Sequence, residues 1–160
     1  MFLTIVTLIS SAALCMSYLR TACEAILRRR LNQQSCDSVV EANGLQFPFV
    51  RKAVEDFGVP MDYERFRMQL KGDFVALRHL LARNAMRPSR PRWVYLEERL
   101  EERQVWLLTV YFRAVFQALV IVHALRLNER GAFLKLAKIL EYFAKVLDYR
   151  LGTIYMIRPG

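Results

Sequence analysis

The side chains with most capacity for chemistry in this 160-residue chain are two histidines, three cysteines and a run of glutamates. His79 and His123 each lie in an apolar helical context. A neutral imidazole facing an apolar cavity can ligate a haem iron or the metal of a pigment. Neither histidine belongs to a C-x-x-C-H sequence or another ligation motif, so packed or interfacial histidines are expected. Axial ligation by His79 or His123 is the alternative. Glu97, Glu98, Glu101 and Glu102 form an acidic cluster, but a di-iron bundle needs Glu-x-x-His pairs, and neither histidine has a glutamate three residues before it. A solvated helix face balanced by Arg99 and Arg103 is expected there, or a docking face for a basic partner.

Cys15, Cys23 and Cys36 are odd in number and have no C-x-x-C spacing, so they suit neither a disulfide framework nor a paired-ligand zinc site. A reducing compartment follows. Phosphate-loop, dinucleotide, zincin and nucleophile-elbow motifs do not occur in the sequence. The expectation is a non-enzyme with no cofactor and no metal.

Charge points elsewhere. Lys+Arg number 24 against 15 Asp+Glu, a net +9, and 19 of the cations are arginine. Guanidinium groups fork onto carboxylates and phosphates, so an anionic neighbour is implied; a genomic preference for arginine is the competing origin. The densest basic patch is Arg78, His79, Arg83, Arg87, Arg90 and Arg92, followed by Trp93. It could grip nucleic-acid phosphates with Trp93 stacked on a base. Anionic lipid headgroups or an acidic protein surface rank ahead, because the amino-terminal segment holds the patch near a bilayer.

That segment, Met1 to Leu19, has no charged side chain. At the helical rise it spans about 28 Å, close to the hydrocarbon thickness of a bilayer. Hydroxyls at Thr4, Thr7, Ser10, Ser11 and Ser17 can bond to carbonyls one turn earlier. Arg20, Arg28, Arg29 and Arg30 follow, offset by Glu24, so the positive-inside bias places the amino terminus outside and residues 20–160 in the cytoplasm. A cleaved signal would want a basic n-region, and a lipoprotein signal a small residue where Leu14 precedes Cys15. A single-pass anchor in the cytoplasmic (inner) membrane is therefore expected. Thr7, Ser11 and Cys15 recur at i, i+4, i+8, a stripe of small side chains that would let another membrane helix approach closely.

The remainder should be helical. With 54% hydrophobic residues the chain is too apolar for disorder, and 6 Gly and 5 Pro are too few for many strands and tight turns. Residues 1–31 are assigned to the anchor and a basic juxtamembrane helix, 32–46 to a polar linker, and 47–160 to a helical bundle. A short helix is expected from Pro48 to Phe57, closed by Gly58. A longer one from Asp62 to Ala85 carries the stripe Phe66, Leu70, Phe74, Leu77 and Leu81, with Gly72 marking a kink or a close neighbour. After the break at Arg87–Arg92 a helix from Pro91 to Leu127 follows. Asn128 then caps a last helix, Glu129 to Leu151, ended by Gly152, whose polar stripe is Lys135, Lys138, Glu141, Lys145 and Asp148. The short connection predicts a long antiparallel helical hairpin.

Residues 104–125 are also apolar enough to cross a bilayer. Arg113 and Gln117 stand near the middle, and with Thr109 they form an i, i+4, i+8 polar seam. Crossing would also leave Arg126, Arg130, Lys135 and Lys138 outside, against the charge bias. A central bundle helix is preferred, too hydrophobic for its companions to cover fully. The fold class is thus all-α, one transmembrane helix followed by a small cytoplasmic bundle. The expected role is an accessory, assembly or scaffolding subunit docked on a larger integral-membrane complex, with self-association as a further option. A lipid- or nucleic-acid-holding adaptor and a haem- or pigment-binding membrane protein are the rivals.

Overall fold

The computed structural model describes residues 1–30, 36–57, 60–85 and 92–157, with side chains at 1–28, 36–57, 60–84 and 102–151. Among the described residues the chain is all-helical: α1 (Phe2–Arg30), α2 (Asp37–Asn43), α3 (Phe47–Glu55), α4 (Tyr63–Ala85), α5 (Arg92–Ala124) and α6 (Glu129–Ile157).

The central helix is α6, not α5. Leu136, Ala137, Ile139, Leu140, Phe143, Ala144 and Leu147 are fully buried and point in several directions from the axis, so α6 is covered on more than one side. It touches α1, α2, α3, α4 and α5. Ala137 and Ala144 let neighbouring helices come close among the larger side chains. The polar stripe is exposed at Lys138, but its second half is covered and partnered. Glu141 receives Arg51 of α3 at 2.6 Å and Lys145 at 3.3 Å, and Asp148 accepts the Ser38 hydroxyl of α2 at 3.0 Å. Such half-exposed pairs contribute at most about 1 kcal/mol each, so their main effect is to set the register of α2 and α3 on α6.

On α4 the apolar stripe is buried as its spacing requires. Phe74 stacks on Phe112 of α5 with centroids 4.1 Å apart, and Phe66 meets Phe133 of α6 edge-on at 6.0 Å. Gly72 neither kinks α4 against a neighbour nor admits one, since an added Cβ would meet nothing within 4 Å.

The 32–46 segment is not only a linker, because α2 lies within it with Val39 buried. Its end is set by Gly44 at φ 60°, where the Gly44 N–H donates to Glu41 and the Leu45 N–H to Val40, a Schellman closure. The same closure ends α5, with Leu127 N–H donating to Val122 and Arg126 N–H to His123, but here Arg126 holds the left-handed position at φ 53°. Four residues, 125–128, then turn the chain into α6, making the expected antiparallel hairpin. Asn128 caps α6, its Oδ1 accepting the Gly131 N–H at 3.4 Å. The helix does not stop at Gly152 but continues to Ile157, because a lone glycine costs a helix only about 1 kcal/mol and hydrogen bonding carries it through. Helix α3 starts at Phe47 and ends at Glu55, and Gly58 lies outside the described residues.

The start of α3 has no cap of its own; Asp73 of α4 supplies it. Buried, its Oδ2 accepts the N–H groups of Gln46 at 2.7 Å and Phe47 at 2.5 Å. Burial raises the carboxyl pKa above the ordinary range, and the two N–H bonds offset part of that rise. A raised acid contributes stability that is fully present below its unfolded pKa of about 4 and is lost as pH rises through the folded value. Asp73→Ala should cost about 1–2 kcal/mol in denaturant titrations, since two buried donors lose their acceptor. Asp73→Asn, whose amide oxygen can serve both, should stay folded. The stability of the wild type relative to Asp73→Asn should fall as pH rises from about 4; a pH-independent difference would mean that burial does not shift this carboxyl.

Candidate membrane and partner interface

The interface is built on α1 and on the outward side of α5. Every described residue from Met1 to Tyr18 is exposed, and none carries a charged side chain. Threonine hydroxyls along α1 bond back to carbonyls of the preceding turn. Thr4 donates to Met1 O at 2.6 Å, Thr7 to Leu3 O at 3.0 Å and Thr21 to Ser17 O at 2.9 Å. What remains outward is a sleeve of Phe2, Leu3, Ile5, Leu8, Ile9 and Leu14, apolar on every side. Thr7, Ser11 and Cys15 share one exposed face of it, with no bundle helix against them.

The last third of α1 behaves differently. Cys23 and Leu27 are buried against the bundle, with Leu19 and Ile26 half-buried beside them. The Cys23 thiol points at the Leu107 carbonyl of α5 at 3.9 Å. Arg20 is exposed on the other side and pairs with Glu24 at 3.0 Å. Arg28 is exposed as well; the side chains of Arg29 and Arg30 lie outside the described residues. One continuous helix therefore serves as apolar sleeve and bundle component, with its first cation at the junction.

Two described helices are long and apolar enough to cross a membrane, by length and composition: Phe2–Arg28, whose most apolar 18 residues have mean hydropathy 1.9 and none buried, and Glu102–Ala124, whose most apolar 18 residues have mean hydropathy 2.0 and 28% buried. The difference in burial separates them. Leu108, Tyr111, Phe112 and Leu119 of α5 are buried in the bundle, while Trp106, Val120 and Ile121 are exposed. The polar seam divides accordingly: Thr109 is buried with its hydroxyl on Val105 O at 2.7 Å, and Arg113 and Gln117 face outward. Helix α4 flanks α5 along its length. Tyr63 stacks on His123 at 3.7 Å, Arg67 lies 5.1 Å above Phe116, and Phe74 covers Phe112.

The basic patch is only partly in view. Arg78, His79 and Arg83 are exposed on α4; Arg87 and Arg90, and the side chains of Arg92 and Trp93, lie outside the described residues, as do those of Glu97, Glu98 and Glu101. A cleft of about 180 Å³ opens beside the patch, lined by Arg78, Leu81, Val105, Trp106, Thr109 and Arg150. Buried Arg150 donates to Leu81 O there at 3.3 Å. Trp106 was not singled out by sequence because it sits among leucines and valines; its exposure comes from the bundle. Of the histidines, His79 faces solvent, and His123 joins the ends of the hairpin through Glu129, Nδ1 to Oε1 at 2.6 Å. Neither faces an apolar cavity of the kind haem ligation needs. Among the described residues no group of three or more His, Cys, Asp or Glu is placed to hold a metal. Burial pushes the Cys36 thiol pKa up, which makes it a poor nucleophile.

No protein-family model, curated protein or solved structure matches the chain. The physical junction between α1 and α5 is therefore the feature to test first. Leu27→Asp places a carboxylate in the contact and should cost the bundle about 2–4 kcal/mol, read as an earlier unfolding transition in detergent. The variant should still sediment with membranes. Unchanged stability would show that the end of α1 does not pack into the bundle.

Proposed function

We propose that the chain is a non-catalytic accessory or assembly subunit, held in the cytoplasmic membrane by α1 and docked on a larger integral-membrane complex. The observation that carries this reading is the exposed, uncharged sleeve of residues 1–18 joined without a break to a helix seated in the bundle. A sleeve of that kind exposes far more contiguous apolar surface than a protein leaves in water, and lipid satisfies it. Arg20, Arg28, Arg29 and Arg30 immediately after it support an orientation with the bundle in the cytoplasm. Partial burial of α5 between α4 and α6 supports a single crossing, since a second span would draw the charges of α4 towards lipid. A helical junction, unlike a flexible tether, fixes the angle between anchor and bundle, which suits a subunit that positions other components.

Partner contact is assigned to the Thr7, Ser11 and Cys15 face, where small side chains permit close helix approach. The arginines exposed at Arg20, Arg28 and Arg83 support a secondary grip on anionic headgroups. Replacing Thr7, Ser11 and Cys15 together by leucine should leave membrane insertion intact and reduce co-purification of the partner complex in mild detergent by at least about tenfold. Retention of the same partners by the triple variant would remove this face from the account. Partner loss on raising salt, with the stripe intact, would favour the adaptor reading instead. A visible absorption band abolished by His79→Ala or His123→Ala would favour the cofactor reading.

A further inference from the structure

Resting on the membrane reading of α1, the geometry points to a second lipid contact: we infer that the outward face of α5 lies in the headgroup layer of the bilayer that holds the anchor. The bundle would then recline on the membrane instead of hanging beneath it.

Chain direction carries the inference. Cys23 of α1 lies against Leu107, and Arg20 and Glu24 lie within electrostatic reach of Tyr111. Along α6, Glu24 lies within electrostatic reach of Lys135, Cys36 of Glu141 and Lys145, and Ser38 bonds Asp148, so the chain from α1 to α2 rises along α6 and α1 runs antiparallel to α5. The apolar sleeve ends one residue before Arg20, which is already level with Tyr111. From Tyr111 onward α5 therefore advances towards the membrane side for another 13 residues to Ala124, about 20 Å at the helical rise. If α5 stood upright beside the anchor, its tip, Arg126, Arg130 and the charged start of α4 would be driven deep into hydrocarbon, at several kcal/mol per charge. The sleeve is exposed all round, so α1 leaves the bundle instead of continuing along it. A tilt that lays α5 along the surface resolves the conflict.

The side chains on that face match the layer they would meet. Trp106, Arg113, Gln117, Val120 and Ala124 recur with gaps of 7, 4, 3 and 4 and share one outward arc, with Ile121 beside it. Trp106 is 65% exposed and Ile121 62%. An indole at the headgroup level, aliphatic side chains at the acyl boundary and a guanidinium for phosphate form an interfacial set. Away from α5, α3 and the side of α4 that meets it present Lys52, Glu55 and Arg65 to solvent, a face unsuited to lipid. Arg113, which would be costly inside a span, is well placed here.

The test uses the full chain in vesicles of phosphatidylcholine and phosphatidylglycerol, with one tryptophan at a time. The chain has two tryptophans, so Trp93→Phe leaves Trp106 alone. In the background lacking both, Ile121→Trp, Leu8→Trp and Met68→Trp supply a second face probe, an anchor probe and an exposed α4 control. Trp106 and Ile121→Trp should be quenched by lipid brominated near the headgroup. Their acrylamide quenching should be at least about threefold below that of Met68→Trp. Leu8→Trp should respond most to bromines near the chain ends. If Leu8→Trp is quenched by lipid but both α5 probes behave like Met68→Trp, the reclining bundle is wrong and the anchor stands. If Leu8→Trp escapes lipid, the anchor reading itself falls. Shielding of the α5 probes from both quenchers would mean that protein, a second copy included, covers the face, and would also overturn the inference.

Discussion

Everything in this molecule turns on how one helix is exposed along its first two-thirds and seated in the bundle along the rest. The first two-thirds of α1 is apolar around its whole circumference, and in its remainder Cys23 and Leu27 are buried in the bundle with Leu19 and Ile26 packed beside them. A helix transmits that change of environment rigidly, because its backbone hydrogen bonds run through the junction without interruption. Arg20 and its partner Glu24 mark the boundary on the exposed side. The angle between the exposed stretch and the bundle is thereby a consequence of α1 packing.

The bundle achieves its stability by enclosing α6. Aromatic contacts from α4 and α5 fill one side, with Phe74 on Phe112 and Phe66 on Phe133, while α3 covers another with Phe47, Val50 and Val54. Enclosing α6 leaves α5 at the periphery. Its inward residues satisfy the core, and its outward ones have no counterpart within the described chain. The same packing thus explains both the solidity of the core and the unpartnered surface on which the proposed lipid contact depends.

How much of this is legible in sequence depends on the distance over which each interaction acts. The apolar amino-terminal helix and the α4 stripe are local patterns, and both are present as helices with the expected exposed and buried faces. The Asn128 cap and the short α5–α6 turn are local too. The central place of α6 is not legible, because Lys138, Glu141, Lys145 and Asp148 look like a wet face until Arg51 and Ser38 arrive from 90 and 110 residues away in sequence. Helix α2 is hidden for the same reason: a polar seven-residue segment has little helical tendency alone and is fixed by burying Val39. Asp73 gives no signal at all, since its role as the cap of α3 exists only once α3 and α4 are paired. On the interface, exposure of the Thr7, Ser11 and Cys15 face follows from the apolar run around it, whereas Trp106 becomes an outward residue only through the orientation of α5.

The central claim, that α1 sits in lipid with the bundle on the cytoplasmic side, is tested most directly by one labelling experiment. Lys138→Cys, made together with Cys15→Ser because Cys15 is exposed, places a thiol at an exposed position on α6, whereas Cys23 and Cys36 are buried. A membrane-impermeant maleimide applied to intact cells should leave this position unmodified and should label it once the membrane is opened, with the protein remaining in the membrane fraction after alkaline carbonate. Labelling of Lys138→Cys in intact cells, or release of the chain by carbonate, would contradict the account.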